Sequence, residues 1–129
     1  TPPNRLLIVE DDASVKELVA LVAAKLGYQV THAEPPARAV ETCRAVRPTL
    51  IVLDLMMPEM DGYEATRTIK ASDKYAKTKT PIIAVSASAF DADVDKAILS
   101  GVDDFLAKPI ETDRLKELLT KYSPQRQSY

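Results

Sequence analysis

Residues 50–62 read LIVLDLMMPEMDG: Leu50, Ile51, Val52 and Leu53 run without a polar break into Asp54, and a proline-containing loop follows. An unbroken aliphatic run with no alternation is the pattern of a strand covered on both faces, as in parallel sheets flanked by helices. An ionised carboxylate is costly inside such a sheet. Asp54 is therefore expected at the strand's exit, where water, a metal ion or an opposite charge can meet it. Whatever meets it has to come from elsewhere in the chain.

Outward from this strand, the same alternation recurs. Leu6, Leu7, Ile8 and Val9 form a second apolar run, and Val15, Leu18, Val19, Val22 and Leu26 then recur at helical spacing up to Gly27, a helix stop. Residues 28–33 alternate loosely and suit an edge strand, while 36–47 carry the helical stripe Val40, Cys43 and Val46 before Pro48. Beyond the 58–62 loop, Tyr63, Thr66 and Ile69 mark a third helix, and 72–80 is a polar segment that reads as a solvated loop. Pro81 opens a fourth strand, 81–86, at the one strand position where a missing N–H is tolerated. Val94, Ile98 and Val102 predict a fourth helix stopped by Gly101, residues 104–108 a short fifth strand, and Leu115, Leu118, Leu119 and Tyr122 a fifth helix. Five strand-helix units in strict order imply an α/β domain whose parallel sheet is wound on both faces.

The chain's 129 residues are one domain's worth, enough to bury roughly two-thirds of the unfolded surface. Lys and Arg number 17 against 19 Asp and Glu, a net charge of −2, with no basic cluster of the density that phosphate backbones require. Nucleic-acid binding by this chain is thus not expected. Cys43 is the single cysteine and lies in a helical stripe, which points to core packing and a reducing compartment. No apolar run reaches membrane-spanning length and no signal stretch opens the chain, so a cytoplasmic protein without membrane contact is expected. The opening Thr1-Pro2-Pro3, without an initiating methionine, suggests a processed end or a piece of a longer protein, and the piece is the preferred expectation.

In open parallel sheets, ligands bind outside the carboxyl ends of the strands, near the point where strand order reverses. The strand ends therefore belong together: Glu10, Asp11 and Asp12 after the first, Asp54 at the third, Ser86 at the fourth and Lys108 at the fifth. Several carboxylates at close quarters repel unless a cation joins them, and hard oxygen ligands of this kind suit Mg²⁺. Lys108 and Ser86 add a point charge and a hydroxyl, groups that hold phosphoryl oxygens. Taken singly, each has an ordinary explanation. Asp12 or Ser14 caps a helix, with Ser14 and Glu17 spaced as a capping box, and Ser86 or Lys108 would pass as turn and surface residues. Their joint occurrence at four strand ends decides for a shared site.

LIVEDD at the first strand, LIVLDLMMPEMDG at the third, IIAVSAS at the fourth and DDFLAKPI at the fifth together resemble the receiver domains of two-component response regulators and hybrid histidine kinases. The resemblance spans residues 5–122, leaving 1–4 as an N-terminal linker and 123–129 as a C-terminal tail. It implies a flavodoxin-like, doubly wound five-stranded parallel sheet of order 2-1-3-4-5 with five helices. It also implies roles. Asp54 resembles the phosphoacceptor, Glu10 and Asp11 the acidic pair that holds Mg²⁺ with Asp54, and Met56 the residue whose backbone carbonyl completes the metal site. Ser86 matches the hydroxyl that contacts the phosphoryl group, Lys108 the lysine that pairs with it, and Phe105 the aromatic that reorients on activation. Met56 and Ser88, two residues past Asp54 and Ser86, match positions that tune the lifetime of the phosphorylated state. Ser86 stands where Thr is commoner and Phe105 where Tyr is commoner, which keeps the hydroxyl and the ring but removes a phenolic hydrogen bond.

A receiver domain takes a phosphoryl group from a phosphohistidine on a histidine kinase or phosphotransfer protein. It catalyses its own Mg²⁺-dependent phosphorylation and dephosphorylation, and it engages a downstream protein through its fourth helix, fifth strand and fifth helix. The expected setting is a receiver module of a hybrid sensor kinase, with a stand-alone response regulator as the alternative. A haloacid-dehalogenase-type phosphohydrolase also uses a strand-end aspartate. It needs an acid two residues on, however, where this chain has Met56. Flavin binding is disfavoured by the acidic first strand-helix turn, which has no glycine-rich or hydroxyl-rich phosphate loop. A degenerate receiver that only binds proteins would not need Asp54, Glu10, Asp11 and Lys108 together.

Overall fold

The computed structural model of the chain describes residues 4–33, 38–57, 60–71, 80–87 and 91–123. Five strands form one sheet: β1 (Asn4–Val9), β2 (Tyr28–His32), β3 (Leu50–Asp54), β4 (Ile82–Ser86) and β5 (Asp104–Ala107). They alternate with helices α1 (Ala13–Lys25), α2 (Ala39–Val46), α3 (Gly62–Ala71), α4 (Asp91–Ser100) and α5 (Thr112–Lys121). The order is β2-β1-β3-β4-β5 and every neighbouring pair is parallel, as the sequence implied. The first residues of the 36–47 helix, nearly all of the polar 72–80 segment, Ser88, the first three residues of the linker and all but Ser123 of the tail lie outside the described residues.

The aliphatic runs are continuous because both sheet faces are covered. Leu7, Val9, Ile51, Leu53, Ile82 and Ala84 pack with Cys43, Tyr63, Ile69 and Ala97 from α2, α3 and α4. Leu6, Ile8, Leu50, Val52, Ile83 and Val85 pack on the other face with Val19, Val22, Leu115, Leu118 and Leu119 from α1 and α5. Neighbouring residues of one strand thus belong to opposite cores, which requires every position to be apolar.

Two local expectations are corrected. Ile98 is 59% exposed, while Ala97 beside it is fully buried: successive residues of a helix point about 100° apart, so turning the Ala97 side inward carries Ile98 toward solvent. The cap of α1 is Asp12, whose side chain accepts from the N–H groups of Ser14 and Val15. Ser14 sits inside the first turn and donates its hydroxyl to Asp12 Oδ1 at 2.8 Å, so no Ser14–Glu17 capping box is needed.

Candidate functional site

The chain passes from β1 to β2 on one side and returns to place β3 on the other. Strand order therefore reverses between β1 and β3, and a crevice is expected beyond their carboxyl ends. Glu10 follows β1 directly and Asp54 is the last residue of β3. Ser86 ends β4 and Lys108 follows β5. The Lys108 backbone N–H donates to the Ser86 carbonyl at 2.9 Å, which sets the start of its side chain beside β4.

The Asp54 carboxylate is 3% exposed, more deeply placed than a strand exit open to water would require. Its charge is met by Lys108, whose Nζ lies 3.1 Å from Asp54 Oδ2 and 2.8 Å from Glu10 Oε1. The Met56 N–H donates to Asp54 Oδ1 at 3.0 Å, and the Asp12 N–H to Glu10 Oε1 at 3.2 Å. Burial pushes the Glu10 carboxyl up to about 7, with Asp54 reinforcing and Lys108 opposing the shift. Burial by itself would lower Lys108, but its hydrogen bonds and charge contacts with Glu10 and Asp54 outweigh that and hold its pKa above the ordinary lysine value.

Glu10, Asp11 and Asp54 each offer a carboxylate oxygen, and these atoms lie within 4.8 Å of one another. Glu10 Oε2 is buried with no hydrogen-bond partner among the described residues. A cluster rich in acceptors and short of donors fits a hard divalent cation, which takes one or two carboxylates and keeps water. Asp11 is exposed, so one side of the cluster faces solvent. Met56 is 61% exposed with its backbone turned into the site, as its bond to Asp54 shows. Ser86 is almost wholly buried. Phe105 is partly buried against the core formed with α2, α3 and α4. Sequence reasoning treated Asp61 and Gly62 as a plain turn, yet they shape the segment that follows Asp54. The signal was available in a glycine placed at the start of an otherwise ordinary amphipathic helix.

The sheet, its switch point and this acidic rim define a receiver domain, and residues 6–120 match the response regulator receiver domain family. The chain belongs to that family. It is 38% identical over 119 residues to the chemotaxis protein CheY of Bacillus subtilis, covering 92% of this chain and 96% of that protein. It is also 42% identical over 122 residues to the two-component response regulator ORR41 of Oryza sativa, covering 92% and 93%. Among solved structures, the receiver domain of sensor histidine kinase PA1611 from Pseudomonas aeruginosa, with magnesium coordinated in its active-site cleft, superposes with a TM-score of 0.79. That match is at 31% identity and covers 94% of this chain and 98% of that one. The chain is thus a phosphoacceptor domain of two-component signalling. No helix among the described residues is long and apolar enough to cross a membrane.

Proposed function

We propose that Asp54 is the phosphoacceptor, taking its phosphoryl group from a phosphohistidine on a histidine kinase or histidine phosphotransfer protein. The observation that carries this is the Lys108 ammonium held between Asp54 and Glu10 beside a buried carboxylate oxygen that lacks a partner among the described residues. An Asp54 carboxylate oxygen attacks phosphorus, the P–N bond breaks, and the imidazole leaves. Glu10, Asp11, Asp54 and the Met56 carbonyl would hold Mg²⁺, Glu10 partly through water. When bound, the ion supplies neutralisation of charge on the transferring oxygens. Lys108 pairs with a phosphoryl oxygen and Ser86 donates its hydroxyl to another. The movement of Ser86 lets Phe105 turn and alters the surface of α4, β5 and α5, where a downstream protein docks. Exposed Ile98 and Leu99 supply apolar area there.

Incubation with Mg²⁺ and acetyl phosphate is expected to add one phosphoryl group to the wild-type chain and none to Asp54→Asn, read by intact mass. Full modification of Asp54→Asn would sink the assignment. The expected 5–122 boundaries are widened by one residue at each end: Asn4 opens β1 and its buried side chain donates to Ser123 Oγ at 2.7 Å, so 4–123 are assigned as the receiver unit, 1–3 as linker and 124–129 as tail, in a cytoplasmic protein. As setting, we favour a receiver module of a hybrid sensor kinase, supported by the likeness to the PA1611 receiver. A stand-alone regulator is the second reading, favoured by the 96% coverage of CheY. The open reading frame around this sequence separates them.

Met56 and Ser88 are assigned to tuning the phosphorylated lifetime. The Met56 side chain is exposed beside the acceptor, and its thioether is too weak an acceptor to orient an attacking water well. Met56→Asn is expected to speed loss of the Asp54 phosphoryl group about tenfold, as orientation worth roughly 1.4 kcal/mol would do. Mg²⁺ affinity should stay near wild type, since only the backbone carbonyl is used. Unchanged or slower decay, followed with excess Mg²⁺, would count against shielding by this side chain.

A further inference from the structure

The segment after Asp54 is shaped by α3. The Leu55 N–H donates to Val85 O at 2.9 Å, keeping the chain against β4 for one more residue. It then folds back in a two-residue antiparallel ladder that pairs Met56 with Asp61 and Met57 with Met60. Asp61 Oδ1 accepts from the N–H groups of Tyr63 at 2.9 Å and Glu64 at 3.3 Å, capping α3. Gly62, the first residue of that helix, donates its N–H to Leu55 O at 3.3 Å. A Cβ on Gly62 would collide with Leu55 Cα and lie 2.9 Å from both Asp54 O and Leu55 O. These are backbone atoms that cannot rotate aside. Gly62 has no left-handed backbone to accommodate, so it is glycine for closeness alone.

We propose that Asp61 and Gly62 are positioning residues for the metal site. By clamping the start of α3 onto the backbone of Asp54 and Leu55, they hold the Asp54 carboxylate and the Met56 carbonyl in the arrangement that takes Mg²⁺. The inference rests on the metal reading of Glu10, Asp11 and Asp54 given above. α3 cannot easily yield, because Tyr63, Ala65 and Ile69 are buried and Lys70 near its far end is bonded to Asp103 and to the Thr80 carbonyl. A side chain at position 62 therefore displaces residues 54–56.

The test is calorimetric titration with Mg²⁺ alone, joined to the NMR shift of the Met56 amide in metal-free protein. Gly62→Ala is expected to weaken Mg²⁺ binding about tenfold or more, in the range typical when groups that orient metal ligands are lost, and to move the Met56 amide. Asp61→Ala should do the same more mildly, whereas Asp61→Asn, which keeps the capping oxygen, should restore both. If Gly62→Ala fails to fold, the Asp61 pair carries the test. Gly27→Ala is the control for a purely structural loss: its φ of +90° strains any side chain, but an added Cβ meets nothing within 4 Å among the described residues. It should lower stability with Mg²⁺ affinity unchanged. Wild-type affinity together with an unmoved Met56 amide in Gly62→Ala and Asp61→Ala would overturn the clamp. Absence of Mg²⁺ binding by the wild type would overturn the metal reading instead, and a displaced Met56 amide would still support the clamp.

Discussion

Replacing Lys108 by Met is expected to destabilise the metal-free domain at pH 8 by about 3–5 kcal/mol, the usual cost of leaving buried charge without its partner. Met retains most of the apolar stem, so the change reads the ammonium rather than the packing. The ammonium touches two carboxylates whose side chains are 1% and 3% exposed, and without it they face each other. The deficit carries a signed pH dependence. Glu10 is already raised above its ordinary 4.5, and loss of Lys108 raises it further. Below pH 4.5 Glu10 is protonated in both folded and unfolded states and costs nothing. Above that value the unfolded state ionises first, so the variant loses stability with rising pH until the folded carboxyl ionises too. In the wild type Lys108 itself stays charged throughout, because its raised folded pKa places its own titration above the ordinary 10.5, so the gap follows the charge on the carboxylates. Thermal melts should show a gap on the order of 10 °C at pH 8 that narrows at pH 5. Equal gaps at both pH values would mean that the pocket holds no uncompensated charge.

The opposite sign is expected for Glu10→Gln. A carboxyl raised from 4.5 to about 7 makes the metal-free wild type lose about 3 kcal/mol as pH rises across that window, at roughly 1.4 kcal/mol per unit. Gln does not titrate. Its carbonyl can keep the bonds from Lys108 and the Asp12 N–H, and its amide removes the charge from the buried position of Glu10 Oε2, which has no partner among the described residues. Without Mg²⁺, Glu10→Gln should therefore be more stable than wild type by about 2–3 kcal/mol at pH 8 and nearly equal to it at pH 4.5. Saturating Mg²⁺ should reverse the order, since the ion stabilises only the chain that binds it. Urea denaturation at the two pH values, with and without Mg²⁺, measures all four quantities. Parallel pH profiles for the two proteins would show that Glu10 is not the strained carboxylate.

Much of this was legible in the chain itself. Burial on both sheet faces demands unbroken aliphatic runs, so Leu6–Val9, Leu50–Leu53 and Ile82–Val85 announce central parallel strands by composition, and a polar residue ending such a run must face the crevice. Strand ends and helix stops follow from local rules that reach only a few residues along the chain. That is why Glu10, Asp54, Ser86 and Lys108 could be gathered before any coordinates.

The tertiary structure decided how those groups divide their work. Lys108 meets Glu10 and Asp54 across 98 and 54 residues of sequence, and no local pattern encodes how deep each carboxylate lies. Glu10 proves almost wholly buried while its neighbour Asp11 is exposed, so the cost of burying charge falls on Glu10. Ile98 carries the helical period of a core residue yet is exposed, because α4 turns its Ala97 side to the core. Gly62 looks like any turn glycine until Leu55 is seen against it. Periodicity reports which face of an element is apolar. Pair distances between elements remote in sequence depend on how those faces finally pack, and it is those distances that set the charge state of the site and the shape of the turn beside Asp54.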